Sequence, residues 1–347
     1  MKSTLKTAGM FGGMILAWSI YYAASKVLVG ETGSPLLAGF LLRTAALVFL
    51  TVQLLLDGSF TRLFHQGKAV KILLMIGVFG FLLDLFANLG YAGGSLSTGT
   101  ALLKTDVLMV NLVTVILYKK KLYASDWLGT LVMLLGVLLV LGVDFGSMSL
   151  NGYDLFFLLS AACVTANAFI IKRAQDKYHE DADMISYYNN GVVLLLFAAS
   201  AGLTGDLGGF DWGSLRTLWW LVALGGLAQT GIYFFYYRNL KTHEVWEVKL
   251  ALLLMPILSC FIGVFFLAEE LTAKKLLGIG IVLAGAALLL LRSKMHPEKV
   301  KSEKWRVKRE SAVLAYSAIL LYNYCKRTFS GSLQKNILRE SIISWLN

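Results

Sequence analysis

Ten apolar windows, each about 17 to 24 residues long and separated by short polar breaks, occupy the first 292 residues of the chain. They lie near Ala8 to Val29, Pro35 to Leu56, Val70 to Tyr91, Ser97 to Tyr118, Asp126 to Val143, Tyr153 to Lys172, Met184 to Leu203, Leu218 to Tyr237, Val245 to Leu267 and Lys275 to Leu291. An α-helix needs about 20 apolar residues to cross a bilayer, so the pattern predicts ten transmembrane helices rather than the alternating faces of a soluble domain. The first window follows Lys2 and Lys6 like the h-region of a signal peptide. Because further spans follow it, it is expected to stay as helix 1.

A shift of the chain on itself by 149 residues reveals an internal repeat. KKLYASDWLGTLVMLLGVLLV from Lys120 then lies on EELTAKKLLGIGIVLAGAALL from Glu269, pairing Leu122 with Leu271 and Gly129 with Gly278. Upstream, the same shift pairs Gly77 with Gly226, Asp84 with Tyr233 and Asn88 with Tyr237. Each half carries an odd number of spans, so the second enters the membrane from the opposite side. The expected fold is an all-α membrane protein whose ten transmembrane helices form a 5+5 inverted repeat, followed by a basic C-terminal extension. Residues 1–147 hold the first five-helix repeat, 148–292 the second, and 293–347 a cytoplasmic tail with a short apolar helix at Ala312 to Cys325. With the N-terminus inside, the cytoplasmic segments before the tail hold thirteen Lys and Arg against four outside, so both termini are expected in the cytoplasm of a cell-membrane protein.

Composition agrees: 57% of residues are hydrophobic and only 15% charged. The net charge of +11 comes from separate loops and the tail with no recognition motif, so no nucleic-acid partner is expected. Cys163 and Cys260 lie in spans and Cys325 in the tail, which indicates no disulfide framework. His65, His179, His243 and His296 all fall outside span cores, so no catalytic residue, metal site or cofactor is expected. Gly278, Gly280 and Gly285 read as helix-packing residues; their GxG has no preceding strand and is no dinucleotide fingerprint.

Candidate chemistry centres on span 4, where Lys104 and Asp106 fall near the bilayer midplane at about 2.5 to 3.5 kcal/mol each. Helical spacing places Gly77, Gly80, Asp84, Asn88 and Tyr91 on one stripe of span 3, and Ser97, Thr100, Lys104 and Asn111 on one stripe of span 4. Their repeat partners include Gln229, Tyr233 and Tyr237 in span 8, and Trp246 and Lys249 in span 9. Trp18 of span 1 pairs with Asn167 of span 6. Asp84 and Lys104 read either as a buried ion pair joining two helices or as groups facing a wet cavity. Asp106 sits about 200° from Lys104 and needs a partner on another helix, water or a proton. Arg43 reads as a snorkelling side chain or one that contacts carbonyls. Tyr233, Tyr237 and Trp246 suit a cavity wall and an interfacial belt equally; for Asn167 the competing account is a helix-to-helix hydrogen bond. The expected substrate-binding set is Trp18, Asp84, Asn88, Lys104, Asn111, Asn167, Tyr233, Tyr237, Trp246 and Lys249, with Asp84 and Asp106 as candidates for proton coupling.

Three stretches carry a resemblance: AWSIYYAASKVL around Trp18, SPLLAGFLLR ending at Arg43, and MPILSCFIGVFFLAEELTAKKLLGIGIVLAGAALL from Met255. From about Met10 to Leu291 the chain resembles the EamA family of the drug/metabolite transporter superfamily. That resemblance implies a ten-helix carrier with a central cavity, moving small metabolites or amino acids, often outward. Val107 stands where the repeat carries Pro256, and Lys119 to Lys121 stand where related sequences often carry an acidic residue. The expected function is secondary-active transport of small polar or amphipathic metabolites by alternating access, not enzymatic catalysis. The partners are a small-molecule substrate and the lipid bilayer, and no oligomeric state is implied. A passive facilitator or channel is the alternative. A polytopic membrane enzyme is weaker still, since Asp84, Lys104 and Asp106 make a poor catalytic set.

Overall fold

A computed structural model of the chain describes residues 2–65, 69–94, 96–116, 124–140, 152–267, 272–274, 276–282 and 284–285. The described residues form α1 (Lys2–Thr32), α2 (Pro35–Leu56), α3 (Val70–Gly93), α4 (Leu96–Leu102), α5 (Asp106–Ile116), α6 (Ala124–Val140), α7 (Gly152–Lys177), α8 (Ala182–Leu203), α9 (Asp206–Gly209), α10 (Leu215–Thr242), α11 (Val245–Ala251) and α12 (Met255–Leu267), with residues 276–282 also helical. The chain divides into two units. The first, Met1–Leu112 with Leu122–Leu290, is the helical bundle; the second is Val113–Lys121 with Leu291–Asn347, of which residues 113–116 at the end of α5 are described. The apolar helix expected at Ala312 to Cys325 lies outside the described residues.

Seven helices among the described residues are long and apolar enough to cross a membrane: Thr7–Thr32, Pro35–Leu56, Val70–Gly93, Gly152–Lys177, Ala182–Leu203, Trp212–Thr242 and Val245–Leu267. The expected spans 4, 5 and 10 run into residues outside the description. Leu56, Leu195, Leu203, Phe265 and Phe266 are exposed on the outer faces, as lipid contact demands. Local chemistry sets the helix ends. Ser34 caps α2, its Oγ accepting from the Leu37 N–H at 3.1 Å with Pro35 next to it, and Gly33 supplies the positive φ of +65° that ends α1. Glu244 and Glu247 form a capping box on α11, which gives Glu247 a helix-starting role.

Span 4 departs from a continuous helix. A tight 3-10 turn, Leu103–Thr105, separates α4 from α5, and a second, Leu252–Leu254, separates α11 from α12. Adding 149 to the bounds of α4 and its turn reproduces those of α11 and its turn, so the repeat read in the sequence is present in the backbone. Mid-helix 3-10 stretches mark strain or hinges. Helix packing obeys the same exchange. The pair α3 with α7 corresponds to α10 with α1, α3 with α8 to α10 with α2, and α4 with α7 to α11 with α1, while α2 meets its own counterpart α8.

Where helices cross closely, glycine makes room. A Cβ added at Gly136 would lie 2.7 Å from the Val282 nitrogen and 2.8 Å from the Gly278 carbonyl oxygen. One added at Gly285, 149 positions on, would lie 2.6 Å from Met133 Cγ and 3.3 Å from the Gly129 carbonyl oxygen. Gly278 and Gly285 therefore pack helices, whereas Gly280 is exposed with open space around it.

Candidate functional site

Helix α2 projects Arg43 into the bundle, where it is 2% exposed. Its Nε donates to Asp84 Oδ2 of α3 at 2.8 Å, and its Nη2 donates to the same oxygen. Nη1 donates to Tyr233 Oη of α10 and to Asn190 Oδ1 of α8, the latter at 3.4 Å. Asn190 in turn donates from Nδ2 to the Arg43 carbonyl at 3.0 Å, and Tyr21 Oη of α1 donates to Asp84 Oδ2 at 2.7 Å. The guanidinium carbon lies 5.7 Å from the centroids of both the Tyr21 and Tyr233 rings. Asp84 and Tyr233 are repeat partners, so one arginine joins equivalent positions of the two halves.

This network forms one wall of a cavity lined by Trp18, Arg43, Asp84, Asn167, Tyr233 and Tyr237, and completed on the polar side by Asn189, Gln229 and Tyr236. It is narrow, with room for a few water molecules rather than a metabolite, so binding a solute requires the helices to part. Buried polar atoms without a hydrogen-bond partner gather here: Trp18 Nε1, Asp84 Oδ1, Asn167 Oδ1, Asn189 Oδ1 and Tyr236 Oη. Native interiors leave few such atoms, and their concentration around one cavity offers hydrogen bonds to water or a ligand.

A second charged cluster joins the two interrupted spans. Lys249 Nζ, near the end of α11, donates to Asp106 Oδ2, at the start of α5, at 2.8 Å, and both side chains are 1% exposed. Each charge favours its helix end, anion at an N-terminus and cation at a C-terminus. Thr165 of α7 donates to the Asp106 carbonyl at 3.3 Å, and Ser19 of α1 donates at 3.5 Å to the carbonyl of Met255, the repeat partner of Asp106. Lys104 lies within the first 3-10 turn, buried at 4% exposure. The charged groups that act on it are Asp106 and Lys249.

The structure thus gathers Trp18, Asp84, Asn167, Tyr233 and Tyr237 around one cavity and Lys104, Asp106 and Lys249 at the paired 3-10 turns. It corrects several expectations. Asp84 pairs with Arg43, not Lys104, because α2 crosses close enough for the guanidinium to reach it. Arg43 is no snorkelling residue, since it is closed off by two tyrosines. Asn88 accepts from Ser25 Oγ at 2.5 Å and donates to the Pro35 carbonyl at 3.0 Å, which ties α3 to its neighbours outside the cavity. Asn111 donates to Thr130 Oγ1 at 3.2 Å, joining α5 to α6, and Trp246 is half-buried away from the cavity wall. Sequence reasoning missed Tyr21, Asn189, Asn190 and Tyr236. For Arg43 a signal existed: an ionisable residue about nine positions into an apolar helix stands near half depth, as Lys104 does.

The family model of EamA-like transporters matches residues 7–142 and again 151–291. The chain belongs to the EamA-like transporter family. Two matches in tandem agree with an internal repeat. This EamA-family chain is also 30% identical over 139 residues to an uncharacterised transporter from the cobO 3′ region of Sinorhizobium sp., covering 40% of this chain and 96% of that protein. A solved crystal structure aligns over 86% of this chain and 99% of its own with a TM-score of 0.63; at 19% identity that likeness is one of fold. The protein is accordingly a multi-pass membrane transporter of the EamA family.

Proposed function

We propose that this EamA-family transporter is a secondary-active carrier that exports small polar or amphipathic metabolites, amino acids and related compounds among them, by alternating access. Ten spans, in two oppositely inserted halves at 1–147 and 148–292, rock about the cavity in the cell membrane with both termini cytoplasmic. Residues 293–347 form a cytoplasmic tail. Trp18, Asn167, Tyr233 and Tyr237 contact the substrate; Asp84 and Asp106 exchange the coupling proton; Lys104 and Lys249 set the charge at the 3-10 turns. Asn88 and Asn111 hold helices in place.

One observation carries the reading: Arg43 joins the repeat-equivalent Asp84 and Tyr233 at the wall of a cavity ringed by unpartnered polar atoms. A structural protein gains nothing from such costly groups at half depth, whereas a carrier needs groups whose bonds differ between its two open states. Inverted repeats with interrupted helices beside the site suit such a motion. The orientation is supported by Arg62 and Lys241, which both pair with Asp181 at 3.4 and 3.3 Å and so gather basic loops at one end.

Reconstituted vesicles challenged with amino acids and amphipathic amines, with and without a pH gradient, test the proposal. The expected result is flux of at least one solute that responds to the gradient. Flux indifferent to the proton or a counter-substrate identifies a facilitator instead, and no flux of any solute overturns transport through this cavity.

A further inference from the structure

The unpartnered polar atoms of the cavity are sorted by chemistry. Asp84 Oδ1, Asn167 Oδ1 and Asn189 Oδ1 can only accept hydrogen bonds, whereas Trp18 Nε1 can only donate. Trp18 packs edge-on against Tyr236, with ring centroids 6.0 Å apart at 87°, and Tyr236 Oη is also unpartnered. Behind that ring sits Lys249, its Nζ 5.4 Å from the centroid; an ammonium can only donate to the Tyr236 oxygen, which leaves the phenol proton for another acceptor. Within the span interiors among the described residues, Arg43, Lys104 and Lys249 face two carboxylates, Asp84 and Asp106. Arg43 is matched by Asp84 and Lys249 by Asp106, which leaves Lys104 as the cation in excess. An unmatched ammonium is costly in a low-dielectric interior, and an arriving anion removes that cost.

We propose that the Trp18–Tyr236 wall, with Lys249 behind the Tyr236 ring and Lys104 in the same charged cluster as Lys249 and Asp106, is a carboxylate-binding subsite, and that the transported solute carries a carboxylate. The substrate anion accepts from Trp18 Nε1–H and Tyr236 O–H and balances the excess charge of Lys104, while donors elsewhere on the substrate meet the oxygens of Asp84, Asn167 and Asn189. The inference rests on the carrier reading for its transport meaning, but the subsite itself is testable by binding.

The test uses the purified full-length protein in detergent and reads equilibrium binding by thermal shift and titration calorimetry. The probes are acetate, butyrate, 3-phenylpropionate and the amino acids, with 3-phenylpropionamide and 3-phenylpropylamine as matched controls. Carboxylates are expected to bind about tenfold or more tighter than the matched amide, the scale of a hydrogen bond to a charged group. Lys104→Met should lower carboxylate affinity about tenfold and Lys104→Arg should restore most of it. If Lys104→Met does not fold, Trp18→Phe and Tyr236→Phe must still lower the carboxylate-over-amide ratio. Equal binding of the amide, preference for the amine, no carboxylate binding to the wild type, or an unchanged ratio in the variants overturns the subsite. A carboxylate that binds but never crosses vesicles overturns the carrier reading and leaves the subsite standing.

Discussion

Arg43 and Asp84 meet within the first half of the chain, whereas Asp106 and Lys249 meet across the two halves. Both pairs use one carboxylate oxygen and leave the other buried without a partner. Around the first pair, Tyr21, Tyr233 and Asn190 engage the guanidinium and the carboxylate, and charge is balanced. The second pair has one more cation than it needs, Lys104, beside a helix interruption. A charge-balanced pair suits a joint between helices; an unbalanced one is poised to change partner. The largest consequence falls on the joint. Arg43→Met leaves Asp84 buried with no cation in reserve and should cost about 3 to 5 kcal/mol and abolish flux. Combining it with Asp84→Asn removes the orphan charge. Chemical denaturation of the double variant should then show most of the stability regained, with transport still absent. A double variant as unstable as the single one would show that the pair is not a unit.

The second pair should break asymmetrically. Asp106→Asn leaves Lys104 and Lys249 facing each other without an anion and is expected to cost about 3 kcal/mol or more. Lys249→Met leaves Lys104 available to Asp106, so its loss should be smaller, on the order of 1 to 2 kcal/mol. Unfolding midpoints of the two variants in the same detergent decide the matter, and equal losses would mean that Lys104 cannot substitute.

Repeat-related glycines extend the comparison from charge to packing. Gly136→Ala drives a methyl toward the backbone of Val282 and Gly278, which cannot step aside, and should cost about 1 to 3 kcal/mol. At Gly285 the nearest atom belongs to the flexible Met133 side chain, so Gly285→Ala should cost less than Gly136→Ala. Thermal unfolding of the two single variants measures the difference.

Much of this was legible in the sequence, for identifiable reasons. The 149-residue shift fixed which positions correspond, and it carried through to the matching 3-10 turns and the packing pairs. Periodicity put Asp84, Tyr233 and Tyr237 on inward stripes, where they are. What periodicity cannot supply is which helix crosses which, and so it could not choose Arg43 over Lys104 as the partner of Asp84. The turn at Leu103–Thr105 was hidden for a related reason: its residues have ordinary helix propensity, and its neighbours include α7, a helix that periodicity does not place. Asn88 and Asn111 lie on the expected faces, yet each bonds neighbouring helices away from the cavity.

Asn111 offers the finest discrimination between face and function. Its hydrogen bond to Thr130 joins α5 to α6 within a membrane-spanning bundle, where such bonds average about 0.6 kcal/mol. Asn111→Ala should therefore lower stability by about that amount and leave flux within about twofold of wild type. Asn167→Ala, at a comparably buried amide on the cavity wall, should reduce flux about tenfold or more while costing no more stability, because it removes an acceptor that no protein group uses. Parallel vesicle assays of the two variants separate them: a large transport defect in Asn111→Ala would return that residue to the substrate path and shift the site toward the 3-10 turns.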